Sequence, residues 1–403
     1  MKSNLNGQSK LLLAVNGLFV LAGALSGTFL NVYLWKVKQD FAMIGWFTFS
    51  QQLALGLTFW IAGKWVKERD KMVSLRLGIV VSGIFYLLVL WAGAHTVDYI
   101  WPLGFLFGIG SGLFWLAFNV VYFEVTDVDT RDLFNGWIGI LGSVIGILGP
   151  WTSGWIISVM KGDLGYRVIF TVSLIIYGIG ILLSFWLKKR KKGGPYHWLE
   201  PFRHFEKDSP WRHAVPASAA HGLREGVFSF LGTLLVFIST SAERKVGQFS
   251  FVTSLVSLVS FWAVGKWLHI RYRYAGMLIG AMLITAVIVP LLWNVNYFSL
   301  MFFGIGTSLF MPLYLLPVIS SVFDLIGKSE DTVEQRVELI VLRELSIMSG
   351  RLAGTLLFIV VFGWFPRMTT VTWLMLGLGA SPILSWIAIR KLFKPHADTP
   401  DTA

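Results

Sequence analysis

The stretch "FGIGSGLF" at residues 107–114 has a near copy in the second half of the chain, "FGIGTSLF" at residues 303–310. Two further pairs of similar stretches follow the same order at nearly the same separation. They are "GKWVKER" (63–69) with "GKWLHIR" (265–271), and "SGTF" (26–29) with "EGVF" (225–228). In a chain with 41 glycines and 32 phenylalanines, a single match carries little weight. Three ordered matches predict that the chain is built from two related halves.

The composition places both halves in a lipid bilayer. Apolar residues make up 55% of the 403 residues and charged residues only 14%, against about 25% charged residues in an average soluble domain. A helix needs about 20 apolar residues to cross the hydrocarbon core. Twelve such runs can be identified, from one near residues 11–35 to one near residues 369–390. The sequence therefore predicts an all-α, polytopic membrane protein with twelve transmembrane helices.

Each half holds six predicted spans. Because six is an even number, both halves start on the same side of the membrane, as parallel repeats. We predict an N-terminal six-helix bundle at 1–187, a cytoplasmic basic linker at 188–211 and a C-terminal six-helix bundle at 212–403. In the linker, four apolar residues would share one face of a short helix lying in the membrane interface, and a solvated linker is the alternative. The four are Trp198, Leu199, Phe202 and Phe205.

The net charge of +12 raises the question of a nucleic-acid partner. The hydropathy argues against one, because basic residues of a membrane protein usually mark the cytoplasmic ends of its spans. With both termini in the cytoplasm, most of the 34 lysines and arginines fall on the cytoplasmic side. This pattern predicts a multi-pass protein of a bacterial plasma (inner) membrane, with cytoplasmic N- and C-termini and no nucleic-acid partner.

Several kinds of chemistry are disfavoured by the residues themselves. Cysteine is absent, which excludes disulfides, thiolate metal sites and cysteine nucleophiles. The seven histidines form no tight ligand cluster, and the acidic stretch at 124–132 is interpreted as a solvated turn. The glycine-rich stretches lack the lysine of a phosphate-binding loop, so close helix packing explains them better. We expect no enzyme, no cofactor and no metal.

Twelve spans in a six-plus-six parallel repeat, with a basic central loop and a glycine-then-basic turn after span two, resemble the major facilitator superfamily. The family signature at this turn resembles G-x-L-a-D-r-x-G-r-k. Gly63, Arg69 and Lys71 match it, whereas Lys67 replaces the acid and Asp70 replaces the second glycine. The resemblance implies that this turn is a gating loop. The ion pair that the acid makes in the family lacks its usual residue here.

The second half repeats the gating turn with Gly265 and Arg271. In span five, "GPWTSG" (149–154) resembles the family's antiporter motif, with Ser153 in place of one glycine. Span four lacks the arginine that the family carries near its glycine cluster. The resemblance implies a secondary transporter whose substrate site lies between the two halves and opens alternately to either side of the membrane.

Five ionisable residues are predicted to lie well inside spans, away from the span ends. They are Arg224 and Glu225 in span seven, and Arg343, Glu344 and Arg351 in span eleven. A charge at the bilayer centre costs about 2.5–3.5 kcal/mol, so these side chains must face protein or water. We predict that they line a water-filled cavity, with Arg224 paired to Glu344 and Arg343 paired to Glu225. The alternatives are a purely architectural ion-pair network and an Arg343 that snorkels to the cytoplasmic face.

Helical geometry groups these residues into two stripes. Glu344 and Arg351 are seven residues apart and share a face of span eleven, and Arg343 lies within about 100° of both, so one stripe of this span is charged. Span seven carries a second polar stripe, made by Ser218, His221, Arg224 and Glu225. We assign substrate binding to six polar residues within spans, and proton coupling to Glu225 and Glu344. The six are Asn31, Asn119, His221, Arg224, Arg343 and Arg351.

Together these features predict a secondary active transporter that moves a small solute by alternating access. Three arginines against two acids point to an anionic or zwitterionic solute, and the intramembrane carboxylates point to proton coupling. A lipid flippase or scramblase, or an efflux pump for amphipathic compounds, is the alternative on the same fold. We expect the small-molecule substrate and the lipid bilayer as partners, and a monomer.

Overall fold

The computed structural model describes residues 5–126, 128–189, 194–199, 209–327 and 335–393. Across these residues the regular secondary structure is helical, and none of them lies in a strand. The prediction of an all-α fold is therefore confirmed.

The chain divides into two compact units. The first comprises Met1–Trp198 and Ser241–Phe251. Its helices are α1 (Gly7–Val37), α2 (Phe41–Glu68), α3 (Lys71–Ala92), α4 (Ile100–Val125), α5 (Val128–Val159), α6 (Leu164–Ser184) and the first part of α8 (Glu243–Trp267). The predicted domain boundaries at 187 and 211 stay predictions.

The second unit comprises Leu199–Thr240 and Val252–Ala403. Its helices are α7 (Trp211–Thr240), the rest of α8, α9 (Arg273–Ala286), α10 (Tyr297–Gly327), α11 (Arg336–Trp364), α12 (Met368–Gly379) and α13 (Ser381–Phe393). The last predicted span is thus two helices that meet at Ala380. The break lies just before Pro382, which has no backbone N–H to donate to the preceding turn and is favoured in the first turn of a helix.

Ten segments of the described residues are long and apolar enough to cross a membrane. One of them, Lys71–Val125, has 55 residues and contains both α3 and α4. The 28-residue α2 lies outside the ten. When the 55-residue segment is counted as two helices and α2 is added, the ten segments are consistent with the twelve predicted spans.

The two units repeat the same helix pairings. In the first unit α1 contacts α5 and α6, and α3 contacts α4 and α6. In the second unit α7 contacts α11 and α13, and α9 contacts α10 and α13. A Cβ atom on Gly78 would lie 2.5 Å from the backbone N of Phe114, and a Cβ on Gly280 would lie 2.7 Å from the backbone N of Tyr314. The predicted duplication is thus seen in the structure, because the close contact between α3 and α4 in the first unit recurs between α9 and α10 in the second.

The repeated stretch at 107–114 lies in α4, where its glycines bring neighbouring backbones together. A Cβ on Gly112 would lie 2.8 Å from Cβ of Thr58 in α2. A Cβ on Gly110 would lie 2.6 Å from Oγ of Ser82 in α3. Larger side chains cannot fit at these separations, so close helix packing, and not phosphate binding, explains the glycines.

Candidate functional site

A cavity of about 190 Å³ lies inside the second unit, between α7, α10 and α11. One wall is apolar and consists of leucine, valine and isoleucine side chains. The other wall carries six polar or ionisable residues. They are Ser218, His221, Glu225, Arg343, Glu344 and Arg351. Four of the five ionisable residues predicted within spans therefore share one cavity, although their functional roles stay predictions.

Arg351 is the centre of the ion-pair network in this cavity. Its Nη2 lies 2.7 Å from Oε1 of Glu225, and its Nε donates to Oε2 of Glu225 at 3.1 Å. Its Nη1 lies 3.9 Å from Oε1 of Glu344. The fork of two parallel bonds to Glu225 is the strong geometry for an arginine–carboxylate pair. One guanidinium thus engages both carboxylates, Glu225 tightly and Glu344 loosely.

Four glycines set the register that makes this pairing possible. Cβ atoms on Gly222 and Gly226 in α7 would meet backbone atoms of Ile347 and Arg351 in α11. Cβ atoms on Gly350 and Gly354 in α11 would meet the carbonyls of Ala219 and Leu223 in α7. The two backbones are therefore in direct contact. Glu225 lies opposite Arg351 because of this contact.

The predicted pairings, Arg224 with Glu344 and Arg343 with Glu225, are wrong. Arg224 is one residue from Glu225, a step of about 100° around the helix, and lies on a different face of α7. Its guanidinium lies 4.3 Å from the ring centroid of Phe228. Arg343 lies over the ring of Phe323 at 4.8 Å. Neither arginine has an acidic partner within ion-pair distance among the described residues.

The predicted polar stripe on α7 is correct for three of its four members. Ser218, His221 and Glu225 line the cavity, whereas Arg224 does not. Nε2 of His221 lies 3.6 Å from Oε2 of Glu225. On α11, the predicted stripe of Arg343, Glu344 and Arg351 is complete, since all three line the cavity.

Asn31 and Asn119 lie in α1 and α4 of the first unit, where each is half-buried. Neither is among the residues that line the cavity of the second unit. Their assignment to substrate binding stays a prediction.

The gating turn contains an ion pair that the sequence did not identify. Lys71 is buried and pairs with Glu124 at the end of α4. Asp70, which replaces the glycine of the family signature, caps α3 by accepting from the backbone N of Met72 at 3.0 Å. Arg69 and the equivalent Arg271 are exposed. Glu124 is itself exposed, as the interpretation of the acidic stretch as a solvated turn requires, and its ion pair also holds the gating turn to α4.

Gly63 provides space for a residue of the predicted linker. Tyr196 is 5% exposed, and its Oη would lie 2.7 Å from a Cβ on Gly63. The backbone N of Tyr196 donates to Oε1 of Glu68 at 3.0 Å. Trp198 lies against Trp60 with ring centroids 5.8 Å apart. The linker is therefore attached to the end of α2, while Phe202 and Phe205 of the predicted interfacial helix lie outside the described residues.

Gly63→Leu is expected to displace Tyr196, because the new side chain would occupy the position of its hydroxyl group. The segment that follows α6 should then be cut faster by trypsin after Lys188 and Lys189, as measured by the rate of loss of intact protein. Gly265→Leu is the matched control, since nothing lies within 4 Å of a Cβ at that equivalent position. Equal cleavage rates in the two variants would show that Tyr196 does not depend on Gly63.

The sequence matches the family model of the Major Facilitator Superfamily over residues 12–328. The uncharacterized protein YqgE of Bacillus subtilis (strain 168) is 36% identical over 350 residues, which cover 87% of this chain and 81% of that protein. An uncharacterized protein in the sodM 3′ region of Geobacillus stearothermophilus is 40% identical over 169 residues, which cover 42% of this chain and 79% of that protein.

Solved structures share the fold. The crystal structure of a bacterial homologue of the iron transporter ferroportin in its outward-facing state has a TM-score of 0.66 and 13% sequence identity, covering 97% of this chain and 100% of that one. The same homologue with soaked iron has a TM-score of 0.65, covering 96% and 99%. At this identity the likeness concerns the fold alone.

Proposed function

We propose, since the chain belongs to the major facilitator superfamily, that it carries a small organic anion or zwitterion across the plasma membrane by alternating access. The chain is a multi-pass membrane transporter, and the proposal concerns its solute and its coupling. The observation that carries the proposal is the position of Arg343 and its lack of an acidic partner among the described residues. This arginine faces the cavity without an acidic partner among the described residues, while Arg351 engages both carboxylates.

An arginine on a cavity wall is a binding group for carboxylates and phosphates, because its planar fork matches their geometry. The side chain of Glu225 is 40% exposed in the same cavity, so it can accept from an ammonium group. A zwitterion would therefore find both of its partners here. The cavity volume of about 190 Å³ favours a small solute, since sites for drug-sized ligands span about 300–1,000 Å³.

Proton coupling follows from the way Glu225 is held. A solute anion that engages Arg351 competes with Glu225 for the same guanidinium. The released carboxylate, which lies beside His221, is then free to take up a proton. Glu344 is the second candidate, since it lies 3.9 Å from the same arginine. This exchange supports a cycle in which solute and proton occupy the cavity in turn.

The structural neighbours are a homologue of an iron transporter, in one case with soaked iron, which raises the question of iron for this chain. Among the described residues, no group of three or more His, Asp or Glu side chains could hold a metal ion. Glu225 and Glu344 are both engaged by Arg351. We therefore propose an organic solute for this chain. The bacterial relatives and the distribution of basic residues support a plasma-membrane protein with cytoplasmic termini, and the monomer stays a prediction.

A stabilisation screen on the purified protein tests this proposal, because a ligand that binds only the folded state raises its unfolding temperature. Small organic anions, zwitterions, cations and amphipathic compounds would be compared by tryptophan fluorescence at constant pH and ionic strength. We expect an anion or zwitterion to stabilise the wild type and the exposed-site control Arg367→Gln, but not Arg343→Gln. Stabilisation by amphipathic compounds or lipids alone would contradict the proposal and favour an efflux pump or a lipid flippase.

A further inference from the structure

Arg224 is a buried charge that the cavity does not use. It lies in α7, is 5% exposed and does not line the cavity. Its guanidinium lies against the ring of Phe228. Among the described residues, Nη1 has only the sulfur of Met311 at 4.0 Å as a hydrogen-bond partner, and the buried Nε and Nη2 have none. No acidic side chain of the described residues lies within ion-pair distance of this guanidinium.

Other buried polar atoms lie near Arg224. Among the described residues Nδ1 of His221 has no hydrogen-bond partner, and the hydroxyl groups of Tyr314 and Ser385 have only each other. Tyr314 is the neighbour common to these groups, because Arg224 and Ser385 both lie near its hydroxyl. The rings of Tyr314 and His221 lie 5.7 Å apart. Buried polar groups in proteins nearly always have hydrogen-bond partners, so several unsatisfied groups close together indicate that a ligand binds among them.

The charges of the neighbouring side chains indicate what kind of ligand would bind here. Within α7, α10 and α11, Arg351 already engages Glu225 and Glu344. Arg224 therefore stays uncompensated at a depth where a charge is expensive. Water could satisfy the free N–H and O–H groups, but it could not supply the missing negative charge. The guanidinium and the hydroxyl groups can all donate, and this set of donors favours an anion.

We propose that Arg224, Tyr314 and His221 form an enclosed site for a small monovalent anion, either a halide or the carboxylate of a short organic acid. The site is separate from the transport cavity, because neither Arg224 nor Tyr314 lines that cavity. His221 contacts both, through Glu225 on one side and Tyr314 on the other. The proposal does not depend on which solute is transported.

Thermal unfolding in three sodium salts of equal ionic strength tests the site. Chloride and formate are the two probes, and gluconate is the reference because, with six carbon atoms, it is much larger than either probe. We expect chloride or formate to raise the unfolding temperature of the wild type by about 2–4 °C over gluconate. A shift with chloride alone would identify a halide site, and a shift with formate would identify a carboxylate site.

Arg224→Met removes the charge while keeping an unbranched apolar side chain. In gluconate this variant should be at least as stable as the wild type, because an uncompensated buried charge has been replaced by an apolar group. Its unfolding temperature should be the same in all three salts. Tyr314→Phe should reduce the shift, and Arg343→Gln should keep the full wild-type shift in chloride.

Two results would overturn the proposal. One is an equal unfolding temperature of the wild type in chloride, formate and gluconate. The other is a salt-dependent shift that is as large in Arg224→Met as in the wild type, which would be a general salt effect. This test measures how the unfolding temperature depends on the salt anion. A negative result would therefore leave the transport proposal and its Arg343 test unaffected.

Discussion

Arg351→Met is expected to abolish both transport and solute-induced stabilisation. The substitution removes the guanidinium that engages Glu225 and Glu344, and leaves two carboxylates without their partner. Breaking a buried ion pair from one side costs about 3–5 kcal/mol. The decrease in the free energy of unfolding should lie at or below the lower end of this range, since the Glu225 side chain is 40% exposed. Uptake of the stabilising solute into proteoliposomes and the unfolding temperature are the two measurements.

A double variant separates a functional network from an architectural one. Arg351→Met with Glu225→Met removes both partners of the tight pair, and paired removal of a buried ion pair is often neutral or stabilising. We expect this protein to unfold near the wild-type temperature and still to transport nothing. Wild-type uptake by the double variant would mean that the network only holds α7 to α11. Arg367→Gln, at an exposed position between α11 and α12, is the control for insertion and folding.

Gly350→Ala is expected to be the most destabilising single-methyl change in the second unit. The added Cβ would overlap the carbonyl of Ala219 in α7, and a backbone atom cannot rotate away as a side chain can. Overpacking of a core costs about 1–3 kcal/mol, and a backbone obstacle places this variant at the upper end or above it. A lower unfolding temperature, with loss of the monodisperse peak in size-exclusion chromatography, is the expected result.

Gly363→Ala is the matched control for this variant. It lies in the same helix, and nothing lies within 4 Å of a Cβ at that position. Alanine is the better helix former by up to about 1 kcal/mol, so this variant should be as stable as the wild type or slightly more stable. Equal stability of the two alanine variants would show that α7 and α11 are not in direct backbone contact.

The fold could be predicted from the sequence because its signals are local. The length of the apolar runs predicts the spans, and the copies of the stretches at 63–69 and 107–114 predict the duplication. The break of the last span at Ala380 was missed, although Pro382 was a visible cause. A helix long enough to span the membrane and one interrupted by a proline have nearly the same hydropathy.

The site was only partly predictable, because it depends on contacts between helices. The stripes on α7 and α11 follow from helical spacing, which placed His221, Glu225, Glu344 and Arg351 correctly on the cavity wall. The pairings depend on how far one helix is shifted along the other. That shift is set by backbone contacts such as that of Gly350 with Ala219, and no spacing along one helix reveals it.

Because contacts between distant segments cannot be read from the sequence, the contacts of two residues near the gating turn were also missed. The ion pair of Glu124 was not predicted, because its partner, Lys71, is distant in sequence and lies on another helix. Tyr196 was not singled out, because an aromatic residue in a basic linker has no signal for contact with Gly63. A glycine that faces an aromatic side chain becomes recognisable only when both positions are known in space.

The central claim is that the ionised cluster lies on a water-accessible cavity, and the absence of cysteine from the chain makes it directly testable. Ile319→Cys places a thiol on the cavity wall. Ile279→Cys, at a position 47% exposed on apolar helix α9, places one on the outer surface. In intact membranes a charged methanethiosulfonate reagent should label Ile319→Cys and leave Ile279→Cys unlabelled, since thiols react as hydrated thiolates. An unlabelled Ile319→Cys, or equal labelling of the two variants, would contradict the account.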